Sequence, residues 1–485
     1  MNLNKKLLLS LIPFVLLGIF YLSGLNRLPL TAYDEATYAQ VTRDTLASGQ
    51  NFTLYRLGQP WFEKPPLYFW LSMASTKVFG AGEWAYRLPS ALLAIVTLVL
   101  VYFLVKQLTA NKCLAVLSSI ILGFIPFFYI TARQVRLDVP LTAIILAVLF
   151  TVVVSWRRPA WLWLVAPLIA LGLMMKSIPA LSALLFVFIL SFFYKQWSWL
   201  KDKRLWLGLV PALAILLPWH IYMQQHWGSV FWQSYLGQQV WERAAAGFGN
   251  TNYFYYIKFF RRLSHFWWWI FLLAMPTVYI LQRKLKNQEI FSLFQASLFS
   301  FIITLVIFSL AKTHISTYLL PVYPFMAIVI AVALVCVWQI LKKRYLKMVV
   351  VILFVSLLID SFFLCLGYWP QVQGTLHYSF DYNLRDMAKI VTLGSPVANI
   401  YQLDGPQGDV LSYYSARPVT VINRDQLKSG YQITGPAYIL VTDYSIGIFF
   451  DQEQKPLPVY QKVQIVYFKD HLVLLFSEQS LTMSL

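Results

Sequence analysis

Apolar runs recur along the whole 485-residue chain, most of them near the ~20 residues that cross roughly 30 Å of hydrocarbon as a helix. They predict spans over 7–24, 88–106, 112–130, 139–155, 160–175, 177–194, 205–223, 263–282, 290–311, 317–341 and 346–369. The result is a polytopic α-helical membrane protein with about eleven transmembrane helices. Helices satisfy their own backbone in lipid, and the strict alternation of a β-barrel is absent. The N-terminal run reads as an uncleaved first span, because no small-residue cleavage site follows it.

Between the first two spans the pattern breaks. Thr31 to Trp70 is polar, charged and aromatic, opening with Asp34 and Glu35 and closing with Glu63, Lys64, Pro65 and Pro66. A site is expected there if the loop over 25–87 folds back on itself. A second aromatic stretch over 224–262 carries Trp227, Phe231, Trp232, Tyr235, Trp241 and Phe248, most simply an interfacial belt. From about Asn383 the period changes again. Short strands are expected over 397–401, 418–423, 438–442, 464–468 and 472–476, with turn signals at Gly405-Pro406 and Gly435-Pro436 and helices over 384–391 and 408–414. The domain expectation is therefore a membrane domain over 1–369 and a small C-terminal α/β domain over 370–485.

Composition removes the soluble alternatives. Hydrophobic residues make up 59% of the chain and charged residues 12%, with a mean hydropathy of +0.61, outside the range of soluble domains. A net charge of +19 would suggest nucleic acid in a soluble protein, but the cations lie mainly in short loops and read as topology signals, so no nucleic-acid partner is expected. With the N-terminus in the cytoplasm, every inward turn is basic, as at Lys5-Lys6, Arg157-Arg158 and Lys342 to Lys347. Cys113, Cys336 and Cys365 all fall in spans and read as packing residues.

That orientation gathers Asp34, Glu35, Glu63, Lys64, Arg136, Asp138, Lys176, Lys312 and His314 at the outer face, together with the tail. Ionisable groups at span ends are costly unless paired or functional. The plain readings are an N-cap and first-turn acid for Asp34 and Glu35, a local ion pair for Glu63 with Lys64, and mutual pairing of Arg136 with Asp138. Tyr318 and Tyr323 suit packing or the aromatic belt. Lys176 is hardest to explain away, since it interrupts apolar sequence.

The ordered segments DEATYAQ, WFEKPPLYFW, GEWAYRLPSAL, RQVRLDVPL, MMKSIPAL and KTHISTYLLPVYP resemble the membrane glycosyltransferases of the GT-C type. The resemblance is to glycosyltransferase family 39 and its relatives, the protein O-mannosyltransferases and the aminoarabinose transferases of lipid A. It covers roughly residues 5–330. It implies transfer of a sugar from a polyprenyl-phosphate donor to a lipid, glycan or protein acceptor at the outer face of the cytoplasmic membrane. It also implies that Asp34 is the essential acid of the first outer loop with Glu35 beside it, that Lys64 meets the donor phosphate, and that Asp138 is a second outer acid.

The residue types suit that chemistry. A departing phosphate gains negative charge, and Lys64, Arg136, Lys176 and Lys312 are the outward cations available to meet it. An acceptor hydroxyl benefits from a positioned carboxylate, with Asp34 the candidate base and Asp138 an orienting acid. Glu63, His314 and Tyr318 are acceptor-side or structural candidates. Glu63 and His314 could hold a divalent metal, but a lone histidine is more often a hydrogen-bond partner, so a polyprenyl-phosphate-linked sugar is expected as donor substrate, no cofactor is assigned and a divalent metal is left open. The chain departs from the family pattern at Thr37, at Ser177-Ile178-Pro179 and at Arg243 to Gly247, which leaves donor sugar and acceptor open. A transporter or flippase of lipid-linked sugars is the competing reading; it predicts mid-span charges and repeated halves. A bundle that merely anchors a C-terminal binding module is another, but it leaves the outer charges without a purpose.

Overall fold

A computed structural model describes residues 3–242, 253–285, 287–367, 377–403, 408–423, 426, 429–442, 449, 463–469 and 472–483. The departure at Arg243 to Gly247, Phe248 and the Gly405-Pro406 turn lie outside the described residues.

Each expected span falls on helix. The membrane part comprises α1 (Leu3–Leu22), α4 (Glu83–Thr109), α5 (Lys112–Phe124), α6 (Pro126–Ala132), α7 (Asp138–Ser155), α8 (Val165–Lys176), α9 (Ser182–Tyr194), α10 (Lys203–Leu207), α11 (Leu209–Trp232), α12 (Tyr255–Leu263), α13 (Phe266–Leu285), α14 (Gln288–Leu310), α15 (Tyr323–Ile340) and α16 (Arg344–Gly367). Among the described residues seven helices are long and apolar enough to cross a membrane, or nine if each bent pair is one span, and two shorter apolar helices cover Ile12–Leu22 and Ile178–Tyr194. The chain is thus a multi-pass membrane protein. The expected span over 112–130 is bent by 71° between α5 and α6, where Pro126 has no N–H to continue the ladder. A second bend, of 111°, separates α12 from α13.

The polar stretch folds back over the bundle. It forms α2 (Asp34–Ser48), a hairpin of β1 (Leu54–Arg56) and β2 (Gln59–Trp61), and α3 (Leu67–Phe79). Gly49 ends α2 with φ 69°, a left-handed cap that glycine adopts without a Cβ penalty. Tyr38 of α2, Trp61 of β2 and Phe69 of α3 pack edge to face, with centroids 5.4–6.1 Å apart.

The C-terminal part contains α17 (His377–Leu393), β3 (Asn399–Leu403), α18 (Gly408–Ser415), β4 (Val419–Ile422), β5 (Tyr431–Ile433), β6 (Ala437–Thr442), β7 (Val463–Lys469), β8 (Leu472–Ser477) and β9 (Leu481–Met483). Five strands form a mixed sheet in the order β4-β3-β6-β8-β7, and β5 pairs with β9 separately. The five expected strands are these five sheet strands. β5 and β9, at three residues each, are too short to show a period.

Helix α18 docks this part onto the first loop. The Tyr414 hydroxyl accepts from Leu30 N–H at 3.0 Å and donates to Glu83 at 2.8 Å. Arg43 donates to the Tyr413 carbonyl at 2.6 Å, Gln40 donates to Ser412 at 3.2 Å, and Arg56 pairs with Asp409. First loop and tail therefore share one face of the bundle.

Candidate active site

Helix α2 starts at Asp34, and its entry is strained. Tyr33 holds φ 66° and ψ −126°, a conformation that costs a non-glycine residue on the order of 1–3 kcal/mol and persists only where the surroundings enforce it. The enforcing contacts come through Glu35, which is fully buried. Its carboxylate accepts from Thr31 N–H at 2.8 Å and Thr31 Oγ1 at 3.0 Å, from Val135 N–H at 3.0 Å, and from Arg87 Nε at 2.7 Å and Nη2 at 3.1 Å. Burial alone would raise the Glu35 pKa, but the Arg87 charge and these hydrogen bonds outweigh it and hold the group below its ordinary value. Arg87 in turn donates to the carbonyls of Leu25, Leu28 and Pro29 at 2.6–2.8 Å. Glu35, expected beside Asp34 as a reacting acid, is thus enclosed and saturated; it pins the loop.

Asp34 faces the other way, with 46% of its side chain exposed and Arg136 Nη1 at 3.1 Å from Oδ2. Arg136 is itself positioned. Its Nε donates to Gln134 at 3.2 Å, and its carbonyl accepts from Ser90 Oγ at 2.9 Å, which also bonds Tyr68. The sequence suggests Asp138 as the partner of Arg136; the ion pair forms with Asp34.

Asp138 starts α7, is buried, and pairs with Lys176 at the end of α8. The Lys176 ammonium also sits 5.2 Å from the Tyr318 ring centroid, a cation–π distance. Both residues line a cavity of about 330 Å³ with apolar walls that include Leu141, Ile178, Phe186 and Phe308. Gln239 lines it too and connects it to the first loop: it accepts from Lys64 at 2.6 Å and donates to Glu63 at 3.2 Å. Trp61 donates to the other Glu63 oxygen at 3.2 Å. Lys312 stands between Ala311 and Thr313, both of which line the cavity.

His314 is engaged elsewhere. Its ring stacks on Tyr255 at 5.7 Å and meets Tyr256 edge-on at 5.4 Å, with Nε2 at 3.2 Å from the Ser309 carbonyl. Glu63 is held by Trp61 and Gln239. Among the described residues no three His, Cys, Asp or Glu side chains gather in a metal-binding group.

The six residues Arg133 to Asp138 thus link the charged groups: Val135 to Glu35, Arg136 to Asp34, and Asp138 to Lys176. Arg87, Ser90, Tyr68 and Gln239 carry this arrangement without having been singled out from sequence. Arg87 lies in the GEWAYRLPSAL segment, where a lone arginine at a helix start looks like an interfacial cation.

The whole architecture recurs in a solved protein. The crystal structure of ArnT from Cupriavidus metallidurans bound to undecaprenyl phosphate superposes with a TM-score of 0.70, covering 98% of each chain at 16% identity. This chain has the GT-C fold. The Archaeoglobus fulgidus oligosaccharyltransferase shares the GT-C fold more distantly, with a TM-score of 0.55, 13% identity, and coverage of 89% of this chain and 68% of that one. In sequence, residues 63–222 match the family described as dolichyl-phosphate-mannose-protein mannosyltransferase. A protein of Aquifex aeolicus without assigned function is 29% identical over 67% of this chain and 63% of its own length. The undecaprenyl phosphate-alpha-4-amino-4-deoxy-L-arabinose arabinosyl transferase of Erwinia tasmaniensis is 25% identical over 65% of this chain and 57% of its own. The match therefore spans less than two thirds of the length of these relatives.

Proposed function

We propose that this chain is an integral membrane glycosyltransferase that moves a sugar from a polyprenyl-phosphate donor to a lipid, glycan or protein hydroxyl, with inversion. The reaction is placed at the outer face of the cytoplasmic membrane, with the C-terminal domain on the same side. The basic short inward loops support that orientation. The similarity to transferases named for undecaprenyl-phosphate-linked substrates supports the donor class.

One observation carries the mechanism: the 133–138 segment joins an exposed carboxylate, Asp34, to a cation-bearing apolar cavity. In this reading the polyprenyl chain lies along Leu141, Phe186 and Phe308, and its phosphate meets Lys64, Lys176 and Lys312. The acceptor O–H gives its proton to Asp34 as its oxygen bonds the anomeric carbon. The carbon–oxygen bond to phosphate breaks, and its electron pair leaves on the phosphate, where fixed positive charge stabilises it. Arg136 orients Asp34 through one oxygen and leaves the other for the acceptor. Asp138 holds Lys176, and Glu35 with Arg87 fixes the start of α2. Glu63 positions Gln239 and Lys64.

Membranes containing the protein, supplied with a panel of labelled polyprenyl-phosphate sugars, test this. Label should pass to an endogenous acceptor from one donor of the panel, and the Lys64→Ala, Lys176→Ala double variant should abolish it. Consumption of no donor, with labelled lipid crossing the bilayer, would favour transport instead.

A further inference from the structure

A second, larger cavity of about 520 Å³ lies apart from the donor cavity, among the end of α1, α6 and the end of α16. Its charged lining residues are Arg27, Arg87 and Arg133, and among the described residues no acidic side chain lines it. Arg87 is neutralised by Glu35. Arg133 is not: its Nη1 donates to the carbonyls of Phe20 and Tyr21, each at 3.0 Å, and its guanidinium lies 5.0 Å from the Tyr129 ring. Those contacts fix the group without cancelling its charge, and among the described residues no carboxylate pairs with it. A held guanidinium in a cavity with excess positive charge suits an anion, and its planar fork suits phosphate.

The surface beside the cavity says what carries that anion. Helices α1 and α16 touch through Phe20 and Phe362, stacked at 5.2 Å. Each presents an exposed apolar row, Val15, Leu16 and Ile19 on α1 and Ile359, Phe363 and Leu366 on α16. Leu366 and Cys365 reach the cavity wall. Apolar rows along two apolar helices that end at a cationic cavity match the division of a lipid into chains and headgroup. We propose that this cavity binds the phosphate of an anionic lipid whose acyl chains lie along α1 and α16. The site stands beside the reacting loop, since Gln134 both lines it and accepts from Arg136, the partner of Asp34.

The test uses the full chain in phosphate-free detergent, a phosphatidic acid with a photoactivatable acyl chain, and peptide mapping of the crosslinks. Crosslinks are expected on residues 12–24 and 355–367. Arg133→Gln and, separately, Arg27→Gln should each weaken them about 10-fold, the loss that follows removal of one charge-assisted hydrogen bond. Arg133→Lys should recover part of the signal, and gel filtration confirms that each variant is folded. The same probe built on diacylglycerol should label these helices about 10-fold less. Glycerol phosphate, lacking chains, should compete poorly. Crosslinking unchanged in both arginine variants, or equal with the diacylglycerol probe, would overturn the site. Competition by glycerol phosphate as effective as by unlabelled phosphatidic acid would assign it to a soluble anion and overturn the lipid.

Discussion

Arg136 holds Asp34 at 3.1 Å across 102 positions of sequence, although an aspartate only two residues away, Asp138, was the nearer partner along the chain. The exchange of partners matters chemically. It leaves Asp138 to Lys176 at the wall of the apolar cavity and gives Asp34 a fixed direction.

Arg136→Ala should therefore reduce kcat of sugar transfer about 10-fold, the effect of losing one hydrogen bond to a charged group, while the affinity for donor is unchanged. Steady-state kinetics with donor and acceptor varied separately check this. A rise in KM for donor without a fall in kcat would make Arg136 a phosphate ligand.

The Glu35–Arg87 pair predicts a stability effect. Both side chains are almost wholly buried, at 0% and 5% exposure, and removing one partner of such a pair costs about 3–5 kcal/mol. Arg87→Ala should lower the thermal midpoint of the detergent-solubilised protein. The pH dependence has a definite sign. Because the folded-state pKa of Glu35 is depressed, its contribution is complete above the unfolded value of about 4.3 and is lost as the pH falls through the lower folded value. Glu35→Gln should flatten that part of a stability profile measured from pH 7 down to pH 3.

Much of this was visible in the sequence, and the exceptions have physical causes. Span positions and the five sheet strands follow from periodicity, which burial enforces. The roles of Asp34 and Glu35 do not. Neighbours on a helix point about 100° apart, so one of two adjacent acids faces the cleft and the other the core, and only the fold decides which. Arg87, Ser90 and Gln239 act through partners 46 to 176 residues distant, beyond the reach of any local pattern. His314, a candidate metal ligand by residue type, has its ring packed against two tyrosines.

Lys176 should matter for donor binding more than for fold. Lys176→Ala removes the cation at the cavity wall and leaves Asp138 buried without its partner. A loss of about 10-fold or more in affinity for polyprenyl phosphate is expected, measured by retention of labelled lipid. Lys176→Ala combined with Asp138→Asn should bind the lipid equally weakly, with thermal stability closer to the parent.

The shared face of first loop and tail predicts a common side of the membrane. Ser48→Cys and Ser429→Cys, both at exposed positions, should react with an impermeant maleimide added outside intact cells. Protection of one and labelling of the other would break the docking of α18 on α2.

The central claim is that Asp34 takes the acceptor proton, and Asp34→Asn tests it most directly. Carboxamide in place of carboxylate keeps the shape and removes the base. Transfer of labelled sugar from polyprenyl phosphate, at matched expression, should fall by roughly 10²- to 10⁴-fold while labelled donor is still retained by the purified variant. Transfer at the parent rate by Asp34→Asn would contradict the account.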